Sequence, residues 1–178
     1  MWSSHPAEEA FLTEVGVDGA FPRLDGGDGI AVTFDNAGAN KIDPFLTVGV
    51  DYRVERSEAV TSTRTTATIE LTNASPASGL PEYVIGNVVG LPLGTNRTFL
   101  SVYSALPMTS ATLDGVPVAL ESDDVFGWHV ASQFLDIAPG QRRVLVVTFE
   151  GPLGVDPYRL TTWTPPRVLP IEIAVDGP

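Results

Sequence analysis

The amino-acid sequence predicts an all-β fold: an immunoglobulin-like sandwich of two sheets, with one short N-terminal helix. Three observations carry that expectation. About ten runs of strand character follow one another at close spacing, broken by glycine- and proline-rich turns. Leu46–Val54 and Thr65–Leu71 alternate apolar with polar residues, the period of a half-buried strand. The run 134–151, FLDIAPGQRRVLVVTFEG, holds a short strand, a Pro139-Gly140 turn and a strand that is apolar on both faces. A closed barrel is the rival architecture.

In chain order, Pro6–Val15 predicts the only helix. Ser4 is placed to cap it, Glu8 and Glu9 suit its positive end, and Ala10, Phe11 and Val15 form a stripe expected to pack on the sheets. Residues 1–29 read as this helix and a loop packing on the sandwich, and residues 30–178 as the sandwich itself. Ile30–Phe34 is the first expected strand. Leu46, Val48, Val50, Tyr52 and Val54 should face inward, answered across a Glu55–Thr61 loop by Thr65, Ala67, Ile69 and Leu71. Asn73–Asn96 is irregular, with Tyr83–Ile85 a possible short edge strand, and Arg97–Ala105 resumes the sheet. Asp114-Gly115 suits a two-residue turn inside a hairpin over Ala111–Leu120. Val125–Val130 and Gln133–Ile137 follow, then Arg143–Glu150, expected to be central and covered on both faces. Tyr158–Trp163 and Val168–Val175 close the chain.

Composition narrows the function. The formal charge is −12 and Lys41 is the sole lysine, so the chain lacks the positive surface that nucleic acid or an anionic membrane requires. The absence of cysteine excludes disulfides, cysteine-ligated zinc and thiol chemistry. No apolar run approaches the roughly 20 residues that span a bilayer, so direct membrane insertion by this segment is not expected. The start, MWSSHPAEEA, has neither the basic region nor the apolar stretch of a signal peptide. It reads as a cytosolic protein or as a piece of something larger.

Asp35, Asn36, Asn40, Lys41 and Asp43 concentrate polar chemistry between two strands. One reading is a buried Lys41 paired with Asp43 or another carboxylate, anchoring the loop, since buried charges need partners. A sharper one is an intramolecular Lys–Asn isopeptide bond, which needs a neutral amine and a protonated acid in an apolar pocket. Asp25, Asp28 and Asp35 supply oxygens that calcium accepts, but the spacing is that of neither an EF-hand nor a calcium-binding repeat, and Asp-Gly turns explain it equally. We therefore assign no metal and no cofactor. Tyr83, Trp128, Tyr158 and Trp163 are candidates for a sugar-stacking platform, or for ordinary core and edge packing. His5 and His129 sit in no recognisable catalytic motif, and Asp123 and Asp124, being adjacent, would face opposite ways on a strand. No catalytic residue is assigned. Asn73-Ala-Ser75 and Asn96-Arg-Thr98 match the glycosylation sequon.

Several stretches together resemble a family of large actinobacterial envelope proteins that carry a domain of unknown function. They are WSSHPAEEAFLTEVGVDGAFP (2–22), NAGANKID (36–43), VDYRVE (50–55), TIELTN (68–73), SGLPEYVIGN (78–87) and LPLGTNRTFLSVYS (91–104). The resemblance covers nearly the whole chain. It implies the C-terminal extracellular region of a membrane-anchored parent, with the anchor outside this sequence. It also implies a place in surface polysaccharide assembly or attachment, with an envelope glycan or another envelope protein as partner. The family's N-K-[LS]-D segment is matched by Asn40-Lys41-Ile42-Asp43, and the resemblance assigns it no catalytic role.

Overall fold

The computed structural model describes residues 1–57, 62–153 and 157–177. Eleven strands among them form two packed sheets: β1 (Asp28–Asn36), β2 (Leu46–Ser57), β3 (Ser62–Asn73), β4 (Asn96–Ser104), β5 (Met108–Leu113), β6 (Val116–Pro117), β7 (Glu121–Val125), β8 (Trp128–Ile137), β9 (Arg142–Gly151), β10 (Leu160–Trp163) and β11 (Glu172–Asp176). The five-stranded sheet runs β10-β1-β4-β8-β7 and the six-stranded sheet β11-β2-β3-β9-β5-β6. The protein is an all-β two-sheet sandwich. Among the described residues, helix is confined to α1 (Pro6–Glu14), the single turn α2 (Glu82–Ile85) and a 3-10 turn at Asp43–Phe45. No described helix is long and apolar enough to cross a membrane.

The core lies where the alternation places it. Leu46, Val48, Val50, Tyr52 and Val54 of β2 and Thr65, Ala67, Ile69 and Leu71 of β3 are all buried. They meet Ile30, Val32, Leu100, Val102, Ala131 and Leu135 from the other sheet. Each fully buried branched or aromatic side chain removes enough apolar surface from water to contribute about 1.5–3 kcal/mol. The β2–β3 pairing extends from Leu46↔Asn73 to Ser57↔Ser62, longer than the alternation alone marked, and the rest of the expected loop, 58–61, lies outside the described residues. Asp114 and Gly115 take φ of 53° and 81°, the left-handed pair that the short hairpin between β5 and β6 needs.

Several expectations are corrected. β9 is an interior strand, but only Leu145, Val147 and Phe149 are buried. Val144 and Val146 stay half-exposed among outward-facing neighbours such as Thr68 and Thr112, because this sheet leaves one face open. Tyr83–Ile85 is helical: Pro81 sets the turn at φ −56° and Gly86 ends it, so no strand forms there. The expected strand at Val125–Val130 is a hairpin, with Phe126 and Gly127 both at positive φ. Helix α1 begins from His5 without a side-chain cap, because the Ser3 hydroxyl donates to Glu8 instead and Ser4 makes no capping bond. None of its residues is buried, and Phe11 is 60% exposed, so the expected packing stripe does not form.

What does pack is the segment after α1, which crosses the outer face of the five-stranded sheet. Phe21 wedges between Tyr103, Trp128 and Trp163, with ring centroids 4.9, 5.3 and 4.9 Å away. The Trp128 indole N–H donates to the Pro22 carbonyl at 3.0 Å. Gly29 lies so close to the Trp128 ring that a Cβ there would come within 2.6 Å, which requires glycine. At the other terminus, the arm from 157 to 177 adds β10 parallel to β1 and then β11 parallel to β2, one outermost strand for each sheet.

Candidate functional site

The polar concentration read from the sequence folds into a knot at one end of the sandwich. Asn36 closes β1, and its Oδ1 accepts from the Gly38 backbone at 2.9 Å, turning the chain. Its Nδ2 donates to Asn40 Oδ1 at 2.8 Å and to Asp43 Oδ1 at 2.9 Å. Asp43 Oδ1 also accepts from Asn96 Nδ2 at 3.2 Å. Asn40 Nδ2 reaches the Gly86 carbonyl at 2.6 Å, fastening the α2 region to the knot. Arg167 completes it from the C-terminal arm. Its Nη2 donates to the carbonyls of Asp43 (3.1 Å) and Leu46 (3.3 Å), and its guanidinium lies 4.0 Å over the Phe34 ring. Burial pushes the Arg167 pKa down, and the nearby Asp43 charge opposes that.

Two of the five predicted residues stay outside the knot. Asp35 is exposed, pointing to the outer face of its sheet, as alternation from Asn36 demands. Lys41 is exposed as well, and among the described residues it forms no ion pair; only its backbone N–H is engaged, donating to Val84 at 3.1 Å. The expected buried Lys41–Asp43 pair is replaced by amide donors to Asp43, and Lys41 lacks the apolar enclosure that an isopeptide bond requires.

Asn73 and Asn96, the two sequon asparagines, are fully buried. Asn73 Nδ2 donates to the carbonyls of Gly94 (2.8 Å) and Ile137 (2.7 Å), and its Oδ1 accepts from Ser75 N at 3.0 Å. Asn73 thus ties main-chain groups at both ends of the long 74–95 connection, whereas Asn96 ties its own strand to Asp43.

The chemically most unusual residue is Asp28, which is buried beneath two tyrosines. Tyr158 donates to Oδ2 at 2.6 Å, Tyr52 straddles both oxygens at 3.0 and 2.9 Å, and the Gly29 N–H donates to Oδ1 at 2.7 Å. Burial raises the Asp28 pKa, and hydrogen bonds from Tyr158, Gly29 and Tyr52 partly offset it. Both phenols are pushed well above their usual range, first by burial and then by the adjacent carboxyl. Asp28 was legible only as a loop residue with calcium-compatible oxygens. Asp25 and Asp35 are exposed and do not join it, and among the described residues no three His, Asp or Glu side chains are placed to hold a metal.

The expected aromatic platform does not assemble. Trp128 is fully buried under Phe21, Trp163 is half-covered by the same ring, and the Tyr158 hydroxyl is committed to Asp28. Tyr83 is 72% exposed but stands on α2, apart from the others. A different pair is partly open, Phe99 half-buried beside an exposed Phe134, cross-strand partners on β4 and β8 with centroids 4.7 Å apart. The 74–96 connection and Asp35–Asp43 do not enclose a ring of carboxylates. The nearest depression, about 320 Å³, is lined by Phe34, Asp43, three prolines, Arg167, Val168 and Leu169, and its only carboxylate is Asp43. On the opposite rim His129 Nδ1 meets Asp124 at 2.6 Å.

The fold and these sites define a two-sheet β-sandwich whose polar residues join its loops and termini. The chain matches no protein-family model and no curated protein.

Proposed function

We propose that this chain is a non-catalytic, immunoglobulin-like module of a cell-envelope protein. It acts on the outer side of the plasma membrane, anchored through a segment outside this sequence, in the assembly or attachment of surface polysaccharide. One observation carries the reading. The stretches that resemble the envelope family, 36–43, 78–87 and 91–104, meet in a single knot through Asn36, Asn40, Asp43, Gly86 and Asn96. Their polar side chains bond to one another and to main-chain groups, the arrangement of a framework rather than of a reactive centre, and Asn96 Oδ1 and Arg167 Nη1 are the buried knot atoms left without a partner among the described residues.

A binding role for the module is favoured over a purely structural one by the aromatic pair on its open sheet face. The test is sedimentation of the purified protein with isolated actinobacterial cell walls, before and after extraction of the wall polysaccharide. Retention in the pellet that is lost on extraction supports the proposal. Protein remaining in the supernatant, or reducing sugar released during incubation, rejects it.

A further inference from the structure

Phe99 and Phe134 lie side by side on the outer face of the five-stranded sheet, on β4 and β8, two of its three interior strands, in a row beyond those that β10 and β7 pair. Phe134 is 48% exposed. Outward positions of a one-sided sheet are ordinarily polar, so a partly exposed aromatic pair on that face marks a contact surface. The chain covers the neighbouring stretch of this face itself: Phe21 and the residues after it lie over Tyr103 and Trp128, and stop short of Phe99 and Phe134.

The rings are surrounded by hydrogen-bonding groups with open capacity. Asp35 stands directly across from Phe99 on β1, and Arg97 and Asp136 form the next row. Among the described residues neither Asp35 nor Arg97 makes a side-chain hydrogen bond. Arg97 lies over the Phe134 ring, 5.3 Å from its centre, and its Nε is 3.7 Å from Asp136 Oδ1, a buried oxygen without a hydrogen-bond partner on a side chain that is otherwise partly exposed. An apolar centre of two rings tilted 48° to each other, with a few convergent donors and acceptors around it, has the composition of a small-ligand site. Two rings are far too small for the roughly 800 Å² per partner that a stable protein interface buries. A sugar ring matches both parts: its C–H face lies on the electron-rich ring face and its hydroxyls reach Arg97, Asp35 and Asp136. Two carboxylates against one guanidinium, on a chain of charge −12, select a neutral sugar over an acidic one.

We infer that the Phe99–Phe134 face is a stacking subsite for neutral pyranose units of a glycan, with Arg97, Asp35 and Asp136 as its hydroxyl-binding rim. The inference rests on the envelope reading above and gives that reading a ligand class.

The experiment titrates the full chain with cellohexaose, maltohexaose and mannohexaose, and with oligogalacturonate as the acidic comparison. Ring-proton NMR of Phe99 and Phe134 and calorimetry are recorded together. The expected result is millimolar binding of at least one neutral hexaose with shifted ring protons. Phe134→Ala should weaken that binding roughly tenfold, and Phe134→Tyr should restore it. Exposure of Phe134 makes both variants compatible with folding, which the unchanged remainder of the spectrum verifies. The inference is overturned by no binding, by binding without ring shifts, by oligogalacturonate binding alone, or by ring shifts that follow protein dilution and so report a second copy. Wall sedimentation that survives Phe134→Ala would sink the subsite while leaving the envelope reading standing.

Discussion

The Tyr158 hydroxyl donates to Asp28 Oδ2 at 2.6 Å, fastening the start of the C-terminal arm to the first residue of β1. The next residue repeats the tie in the main chain, where the Asp28 N–H donates to the Arg159 carbonyl at 2.8 Å. Tyr158→Phe removes the hydroxyl and keeps the ring, including its contact with Arg56 at 5.7 Å. Hydrogen bonds to a charged group contribute about 1.5–3 kcal/mol. Half-exposure of Tyr158 places the expected loss near the lower end, read as a reduced urea midpoint with unchanged slope.

The same carboxyl sets a pH dependence. Its folded-state pKa is raised by burial, so between the ordinary value of about 3.9 and that raised value the folded chain holds a proton the unfolded chain has lost. The Asp28 contribution is therefore largest in acid and falls as pH rises through the folded pKa. Glu70 and Asp114 act oppositely, being lowered by the Arg142 hydrogen bond and by the Val144 N–H, respectively. Subtracting an Asp28→Asn variant isolates the site. Wild-type stability relative to that variant should decline from about pH 4 upward; a difference that is flat or rising with pH contradicts the account.

Phe21 should be an anchor out of proportion to its place in an irregular segment. Phe21→Ala opens the space between Tyr103, Trp128 and Trp163 and is expected to cost about 2–3 kcal/mol, below the range for a fully enclosed phenylalanine. In a Trp2→Phe background, which silences the exposed Trp2, the emission of the two remaining tryptophans should shift to the red.

Asn73→Ala leaves the Gly94 and Ile137 carbonyls and the Ser75 N–H without their side-chain partner. The Gly94 carbonyl keeps the Ser75 hydroxyl, while each buried polar group left stranded costs about 1–3 kcal/mol, so the expected loss is about 2–3 kcal/mol, measured by thermal unfolding.

Intact mass provides a separate check. Burial of Asn73 and Asn96 should keep the folded chain unmodified in a glycosylating host, and exposure of Lys41 leaves no reason for ammonia loss. The expected mass is that of the sequence. A deficit of about 17 Da would restore the isopeptide bond.

Sequence and structure agree where the determinants are local and periodic. The inward faces of β2 and β3 follow from strict alternation, and the Asp114-Gly115 turn from two residues that tolerate positive φ. Phe126-Gly127 makes a comparable turn, but phenylalanine at φ 52° is rare, so nothing in its identity announced the bend. The knot was half legible: Asn36, Asn40 and Asp43 stood out as a polar run, whereas Asn96 arrives from a strand 53 residues beyond Asp43. Asp28 was illegible for the same reason. Its tyrosines lie 24 and 130 residues away, and only strand pairing brings them together. Trp128 takes the packing reading and not the platform one, although its side of β8 faces outward, because the lid that hides it comes from a segment without periodicity.

The C-terminal arm has a consequence for solubility. With β10 and β11 seated, the nine-residue β1 and the twelve-residue β2 each have neighbours on both flanks. Stripped of the arm, both would offer bare amide and carbonyl rows, the template on which a second chain docks and fibrils grow. The last two strands bury little, so their contribution lies in denying lateral growth to two sheets at once, and loss of the arm after a proteolytic cut ahead of Tyr158 would leave a self-adhesive sandwich.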